Sequence, residues 1–238
     1  MLFRLSLLPR ALLLSLALLL LLLLLPMKLL AAALPPIIVT ADNPVPTCVK
    51  PDQLMDFVQR TNMHRRTPRE IAPRFEHIAT LYQSIGQCVS RPPDQCVGVR
   101  WDYAFFQMLI ETNYLTFRAP SGSTAGVPAS DNNFAGLGAT IRGRPGEHFN
   151  DVETGVLAHL QHVLMYSTTP VPHPVANRTR LVQNDVQAIM RRLHRPVTFG
   201  DLAREWTGID QSGYARDMHS LAEKYQRLYC TDQKTAAR

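Results

Sequence analysis

The segment Tyr103-Ala-Phe-Phe-Gln-Met-Leu-Ile-Glu-Thr-Asn-Tyr-Leu115 decides the fold, because its apolar residues recur on overlapping helical faces around one carboxylate. The pattern predicts a helix from about Asp102 to Leu115. The seven residues before Glu111 are apolar except for Gln107. Burial among them disfavours the ionised carboxylate and raises its pKa, as a general acid requires. A structural glutamate at a helix end is the competing interpretation.

Helical spacing recurs on both sides of this segment. Thr67-Pro-Arg-Glu70 is typical of a helix start, because threonine can cap, proline suits the first position and glutamate can bond back to the cap. Its apolar stripe runs on to Ile85. Further helices are predicted from Asn150 or Asp151, over about 178–193, over 199–206 and over 214–229.

Residues 117–149 differ from the rest, because they hold six of the 12 glycines and three prolines. Long loops in compact domains are usually functional or mobile. Short strands are predicted near Phe134–Ile141 within this segment. The sequence therefore predicts a mostly α domain, with a helical lobe and one small Gly-rich, β-bearing lobe.

The first 33 residues are typical of an export signal. Arg4 and Arg10 precede the uncharged run Ala11–Leu25, and small residues follow at Ala31–Ala33. The run is shorter than the ~20 residues that span a bilayer, but apolar flanks could extend it into an inner-membrane anchor. Either interpretation predicts a periplasmic or otherwise exported protein.

The rest of the chain divides by composition. We predict a Pro-rich linker at 34–47, a folded domain at 48–230 and a flexible polar tail at 231–238. The formal charge is +6, with basic residues scattered rather than clustered. Scattered positive charge favours an anionic wall polymer as partner over nucleic acid, and a merely solvated basic surface is the competing interpretation.

Four cysteines, at positions 48, 88, 96 and 230, are expected to form disulfides in an exported protein. They allow three pairings. Cys88 and Cys96 flank a short Pro-Pro segment, which favours a local bridge, whereas a bridge between Cys48 and Cys230 would tie the two ends of the domain. A zinc site would need closer Cys or His pairs, so we expect no metal and no cofactor.

Four short segments occur in a characteristic order: Glu111-Thr-Asn-Tyr114, Asp131-Asn-Asn-Phe-Ala-Gly-Leu-Gly-Ala139, Gly155-Val-Leu-Ala-His-Leu160 after Phe149, and Gly213-Tyr-Ala215 after Trp206. Together they resemble the bacterial glucosaminidase family of peptidoglycan hydrolases. The resemblance implies an α+β lysozyme-like fold, with a glycan cleft between the helical lobe and the β-bearing lobe. It also implies an endo-β-N-acetylglucosaminidase that cleaves the glycan strands of peptidoglycan.

The resemblance carries roles over to individual positions. Glu111 matches the catalytic acid, and Tyr214 matches a tyrosine that helps to position the 2-acetamido group of the substrate. The substrate-binding positions are Asn133, Phe134, Gly136 and Trp206. For Phe134 and Trp206, core packing is the competing interpretation.

The second carboxylate departs from the family pattern. Many family members carry the second carboxylate between the Asn-Asn segment and the phenylalanine, and here only Glu147 lies in that interval. Asp131 is a second candidate, although a role in a turn suits it. A site without a second carboxylate is the third option. Glu153 is better explained as part of a helix cap. Inverting enzymes separate the two acids by ~6.5–9.5 Å and retaining ones by ~5–5.5 Å, whereas substrate-assisted hydrolases need one acid. We favour the substrate-assisted route.

Other functions stay open. A muramidase or a lytic transglycosylase would share the fold. The motifs argue against a transglycosylase, because these enzymes usually show Glu-Ser and Gly-Leu-Met-Gln, whereas this chain has Glu111-Thr112 and Gly136-Leu137-Gly138. A non-catalytic wall-binding assembly protein is the alternative from another class. His159 and His162 are interpreted as surface or packing histidines.

Overall fold

The computed structural model describes residues 34–87, 96–118, 127–139, 145–207 and 211–230. Within these ranges the chain is mostly α-helical: it forms seven α-helices and no strand, and its β pairings are isolated antiparallel bridges. The predicted signal or anchor at 1–33 and the tail at 231–238 lie outside these ranges. None of the helices described is long and apolar enough to cross a membrane.

Helix α3 lies at the centre of the fold. The helices are α1 (Pro51–Met63), α2 (Ile78–Gly86), α3 (Trp101–Glu111), α4 (Val152–Tyr166), α5 (Asn177–Arg191), α6 (Phe199–Thr207) and α7 (Gln211–Tyr229). The first nine residues of α3, Trp101–Leu109, are all buried. Helices α2, α4 and α7 pack against α3. A helix that is apolar all round is expected in such a central position.

The predicted helix start at Thr67 is wrong, because α2 begins only at Ile78. A short 3-10 turn, Pro73–Phe75, precedes it. The residue before a proline avoids the helical region, and Ala72 accordingly has an extended ψ of 134°. The predicted apolar stripe is nevertheless buried at Phe75, Ile78, Tyr82 and Ile85. Helix α1 was not predicted.

The Pro-rich segment 34–47, predicted as a linker, packs against the domain instead. Ile37 is fully buried, and its backbone N–H donates to Val197 O at 2.9 Å. The Ile37 carbonyl accepts from Arg100 N at 2.8 Å. Antiparallel bridges join Pro36 to Thr198 and Ile38 to Val99. The compact unit therefore begins at Leu34 rather than at Cys48.

The terminal disulfide is confirmed. Cys48 and Cys230 are bridged across 182 positions, with their Cα atoms 5.3 Å apart. Tyr225, in the last helix, donates its hydroxyl to Cys48 O at 3.2 Å. The bridge thus joins the chain just before α1 to the end of α7. The predicted local bridge involves Cys88, which lies outside the described residues.

The Gly-rich segment is built from turns where the chain is described. Gly136 and Gly138 have positive φ values of 62° and 78°, which interrupt the extended backbone predicted near Phe134. Residues 140 and 141 of the predicted strand region lie outside the described residues. The segment packs closely on α4, because a Cβ on Gly155 would lie 1.9 Å from Asn132 O. Only glycine permits this approach.

Candidate functional site

Glu111 is the last residue of α3, and the chain turns sharply after it. The next residues in the turn include Asn113, Tyr114 and Leu115, with φ values of 48°, 60° and 62°. Left-handed conformations are unfavourable for such residues, so the surrounding structure must hold them. Helix α1 does so: Asn62 Nδ2 donates to Tyr114 O at 2.9 Å, and the Arg65 guanidinium, which follows α1, donates to Asn113 Oδ1 at 2.8 Å. The end of α1 and the residues that follow it therefore hold the turn after Glu111.

The two oxygens of the Glu111 carboxyl group have different surroundings. Oε1 accepts from Trp206 Nε1 at 2.9 Å and from the Tyr214 hydroxyl at 2.5 Å. No described residue donates to Oε2. A Cβ on Gly136 would lie 3.8 Å from Oε2, so a backbone without a side chain passes beside this oxygen. Four residues predicted from sequence, Glu111, Gly136, Trp206 and Tyr214, are thus brought together.

Burial dominates the electrostatics of the site. It raises the pKa of Glu111 to about 6, against the hydrogen bonds from Tyr214 and Trp206, which lower it. Burial and the neighbouring Glu111 also hold the pKa of Tyr214 well above its usual value. Tyr214 therefore stays protonated and donates. With both donors on Oε1, a proton on the carboxyl group belongs on Oε2.

Trp206 rests on an aromatic wall formed by α4. Its ring centroid lies 5.4 Å from that of His162, 6.0 Å from Tyr166 and 6.4 Å from His159. Burial lowers the pKa of both histidines to about 3, so they are neutral packing residues rather than surface ones. The wall holds the indole N–H on Glu111. Trp206 therefore both packs against α4 and donates a hydrogen bond to Glu111, so the two interpretations of this residue do not exclude each other.

Asn133 and Phe134 support the site from within. Asn133 Nδ2 donates to Leu137 O and Glu147 O, each at 2.9 Å, and Oδ1 accepts from Leu137 N at 2.9 Å. Phe134 is 1% exposed and packs edge-on against Phe75 at 5.6 Å. Both side chains shape the turn that carries Gly136 and are not presented to solvent.

The candidate second carboxylates have other partners. Glu147 accepts from the backbone N–H groups of Asn177 and Arg178, each at 2.6 Å, and so caps α5. Asp131 lies 3.3 Å from His148 Nδ1. Neither carboxylate is hydrogen-bonded to Glu111. The residue before α5, Ala176, has no side chain that can cap, and this could have indicated an acceptor from elsewhere.

Gln107 is a site residue that the sequence did not single out. It lies four positions before Glu111, on the same face of α3, and is fully buried. Its Oε1 lies 3.3 Å from His159 Nε2. The signal was present, since Gln107 interrupts an otherwise apolar run. In the part of the chain described, no group of three or more His, Cys, Asp or Glu side chains could hold a metal ion.

Comparison with known proteins identifies no family. No family model matches the chain, and no solved structure matches it. An uncharacterised protein of Borreliella burgdorferi is 35% identical over 71 residues, which are 30% of this chain and 32% of that protein. The chain thus matches about a third of the length of this relative, too little to assign a shared function.

Proposed function

We propose that the chain is an exported peptidoglycan hydrolase of the endo-β-N-acetylglucosaminidase type, with Glu111 as general acid. The observation that carries the proposal is the asymmetry of the Glu111 carboxyl group. Its pKa is raised to about 6 and Oε1 receives two donors, while no described residue donates to Oε2. The ordered resemblance of residues 111–215 to the glucosaminidase family supplies the substrate class.

In this proposal the proton leaves from Oε2. A carboxyl group with a pKa near 6 keeps a useful protonated fraction close to neutral pH and is still acidic enough to donate. It protonates the glycosidic oxygen as that oxygen leaves the anomeric carbon. The charge left on Glu111 is stabilised by Tyr214 and Trp206, whose hydrogen bonds strengthen toward an ionised acceptor.

The proposed nucleophile is the 2-acetamido oxygen of the substrate. It attacks the anomeric carbon as the leaving oxygen takes the proton, giving an oxazolinium ion that water then opens with Glu111 as base. The capping of α5 by Glu147 supports this route, because both carboxylate oxygens of Glu147 already accept backbone hydrogen bonds. Since the Tyr214 hydroxyl donates to Glu111, we assign Tyr214 to holding the acid.

We place the glycan strand beside Gly136, between the helices and the Gly-rich segment. The missing side chain there leaves the approach to Oε2 open on that side. Export is supported by the Cys48–Cys230 disulfide, because such bonds persist in oxidising compartments such as the periplasm. A retained N-terminal anchor would confine cleavage to the region near the inner membrane.

The test is a peptidoglycan zymogram with wild-type protein, Glu111→Gln and Glu147→Gln. We expect clearing by the wild type and by Glu147→Gln, and none by Glu111→Gln. Equal clearing by wild type and Glu111→Gln would refute Glu111 as the acid. Clearing by none of the three would favour a non-catalytic wall-binding protein.

The products identify the bond that is cut and the route. Mass spectrometry of borohydride-reduced digests should show reduced N-acetylglucosamine ends. Reduced N-acetylmuramic acid ends would mean a muramidase, and anhydro ends a lytic transglycosylase. The substrate-assisted route further requires that the β-anomer is released first, so an inverted product would exclude it.

A further inference from the structure

A cavity of about 640 Å³ lies between the connection from α1 to α2 and the turn that follows Glu111. Both of these stretches and the Gly-rich segment contribute to its lining, which includes Thr67, Arg69, Glu70, Thr116, Arg118 and Ala129. We call it the arginine cavity. Neither Glu111 nor the two side chains that donate to it line the cavity, so it is a different site from the proposed acid.

The two arginines of this cavity lack a counter-ion. Within the described ranges neither Arg69 nor Arg118 forms an ion pair, although Glu70 lines the same cavity. Arg69 is half-buried, and its Nη1 is a buried donor for which no described group is the acceptor. A buried charged donor without an acceptor is unfavourable and rare in folded proteins. An anion that enters the cavity would supply this acceptor.

The turn that carries Arg118 is held in place by Asn113. Its Nδ2 donates to Arg118 O at 2.6 Å, and its Oδ1 accepts from the Arg65 guanidinium at 2.8 Å. Arg65 Nε is also buried and has no acceptor among the described residues. A third cation therefore lies against the same turn. Because these contacts already fix the turn, an anion would not have to order it on binding.

We propose that the arginine cavity binds a carboxylate of the stem peptides, the short peptides attached to the glycan strands of peptidoglycan. A guanidinium group can bind a carboxylate through two parallel N–H···O bonds. The two arginines and Glu70 give the lining a net charge of +1, which suits one carboxylate better than a doubly charged phosphate. The volume is that of a small-molecule site, so the cavity has room for residues next to the carboxylate.

The same two stretches of chain border the arginine cavity and the proposed acid. The turn after Glu111 lines the cavity at Thr116 and Arg118. The Gly-rich segment passes Glu111 at Gly136 and lines the cavity at Ala129. Under this proposal, a strand bound at Glu111 places one of its peptides in the cavity. The choice of a stem peptide rests on the proposed function, whereas binding of a peptide carboxylate is measurable without cleavage.

The experiment is isothermal titration calorimetry of the full chain with the free stem peptide that an amidase releases from peptidoglycan. The same peptide with its carboxylates converted to amides is the matched ligand, and inorganic phosphate is the competing one. The variants are Arg69→Gln and Arg118→Gln. Arg66→Gln is the control, because Arg66 is an exposed arginine of the same connection that does not line the cavity.

We expect the stem peptide to bind the wild type and Arg66→Gln equally. Arg69→Gln and Arg118→Gln should each weaken binding by about tenfold, as expected for the loss of one charge-assisted hydrogen bond. The amidated peptide should not bind. No binding to the wild type, an equal loss in all three variants, or tighter binding of inorganic phosphate than of the peptide would overturn the proposal. Arg118 is exposed, so its variant carries the test if Arg69→Gln does not fold.

Cleavage assays separate this proposal from the proposed function. If the protein cleaves peptidoglycan, Arg69→Gln and Arg118→Gln should raise KM by about tenfold at unchanged kcat, because the peptide contact is made equally in the ground state and the transition state. On strands stripped of their peptides by an amidase, both variants should match the wild type. Equal effects on both substrates would overturn the assignment to the peptide. If no substrate is cleaved, the calorimetry still decides whether the cavity binds the peptide.

Discussion

Replacement of Glu111 by glutamine should stabilise the protein at alkaline pH and not at acidic pH. Burial raises the pKa of Glu111 from 4.5 to about 6, so folding disfavours its ionised form. At ~1.4 kcal/mol for each pKa unit, the ionised carboxylate destabilises the fold by about 2 kcal/mol. Glutamine never ionises, and its amide oxygen can still accept from Trp206 and Tyr214.

The sign follows from proton binding. Below pH 4.5 the carboxyl group is protonated in the folded and the unfolded chain, so its contribution to stability is fully present. As pH rises through about 6 the folded form ionises, and that contribution is lost. The stability difference between Glu111→Gln and wild type should therefore grow from near zero at pH 4 to about 2 kcal/mol at pH 8.

Urea unfolding at pH 4, 6 and 8, followed by circular dichroism, measures this difference. His159 and His162 also titrate during unfolding, but they are present in both proteins and cancel. Glu76→Gln, at an exposed glutamate, is the control for the loss of one carboxyl group. A gain of the same size at pH 4 and pH 8, or a loss of stability at pH 8, would refute the reasoning that burial destabilises ionised Glu111.

Three further predictions concern the scaffold. Gly155→Ala should lower stability by ~3 kcal/mol or more in thermal unfolding, because its Cβ would meet Asn132 O at 1.9 Å. Gly98→Ala is the control and should change stability little, because no atom lies within 4 Å of its Cβ. Equal melting temperatures for the two variants would contradict this packing. Cys230→Ser should lower the free energy of unfolding by roughly 3–5 kcal/mol, because the bridge joins residues 182 positions apart. Unchanged urea unfolding of this variant would argue against a formed disulfide. Glu147→Ala should destabilise the protein by ~1 kcal/mol, because α5 loses its cap. The variant should still clear peptidoglycan in the zymogram. Loss of clearing with unchanged stability would instead support a catalytic role for Glu147.

The sequence predicted the burial of Glu111 and its raised pKa because these properties are local. An apolar run around one carboxylate implies burial, and burial raises the pKa in the structure as expected. The mostly α fold follows from helical spacing, whereas the cysteine positions allowed three pairings, of which the structure shows the Cys48–Cys230 bridge. The late start of α2 was also readable, since Pro73 forbids a helix through Ala72.

The features that were missed depend on contacts between distant parts of the chain. Proline-rich composition is shared by linkers and by extended segments that pack, and only the bonds of Ile37 to Val197 and Arg100 decide between them. From sequence, Glu147 lies in a polar turn that suits a catalytic base as well as a structural residue. Only the structure shows that its carboxylate caps the start of α5. Gln107 resembles a tolerated polar residue in a helix until His159 is found next to it.

The unequal oxygens of Glu111 have a consequence for how such a site could diversify. One oxygen is governed by Trp206 and Tyr214 on the last two helices, and the other borders the turn at Gly136. Substitutions near the helices would retune the strength of the acid without altering what reaches it. Substitutions in the turn would alter which molecule reaches it at constant acidity. Under the proposed function, reactivity and selectivity are thus set by separate stretches of the chain and can change independently.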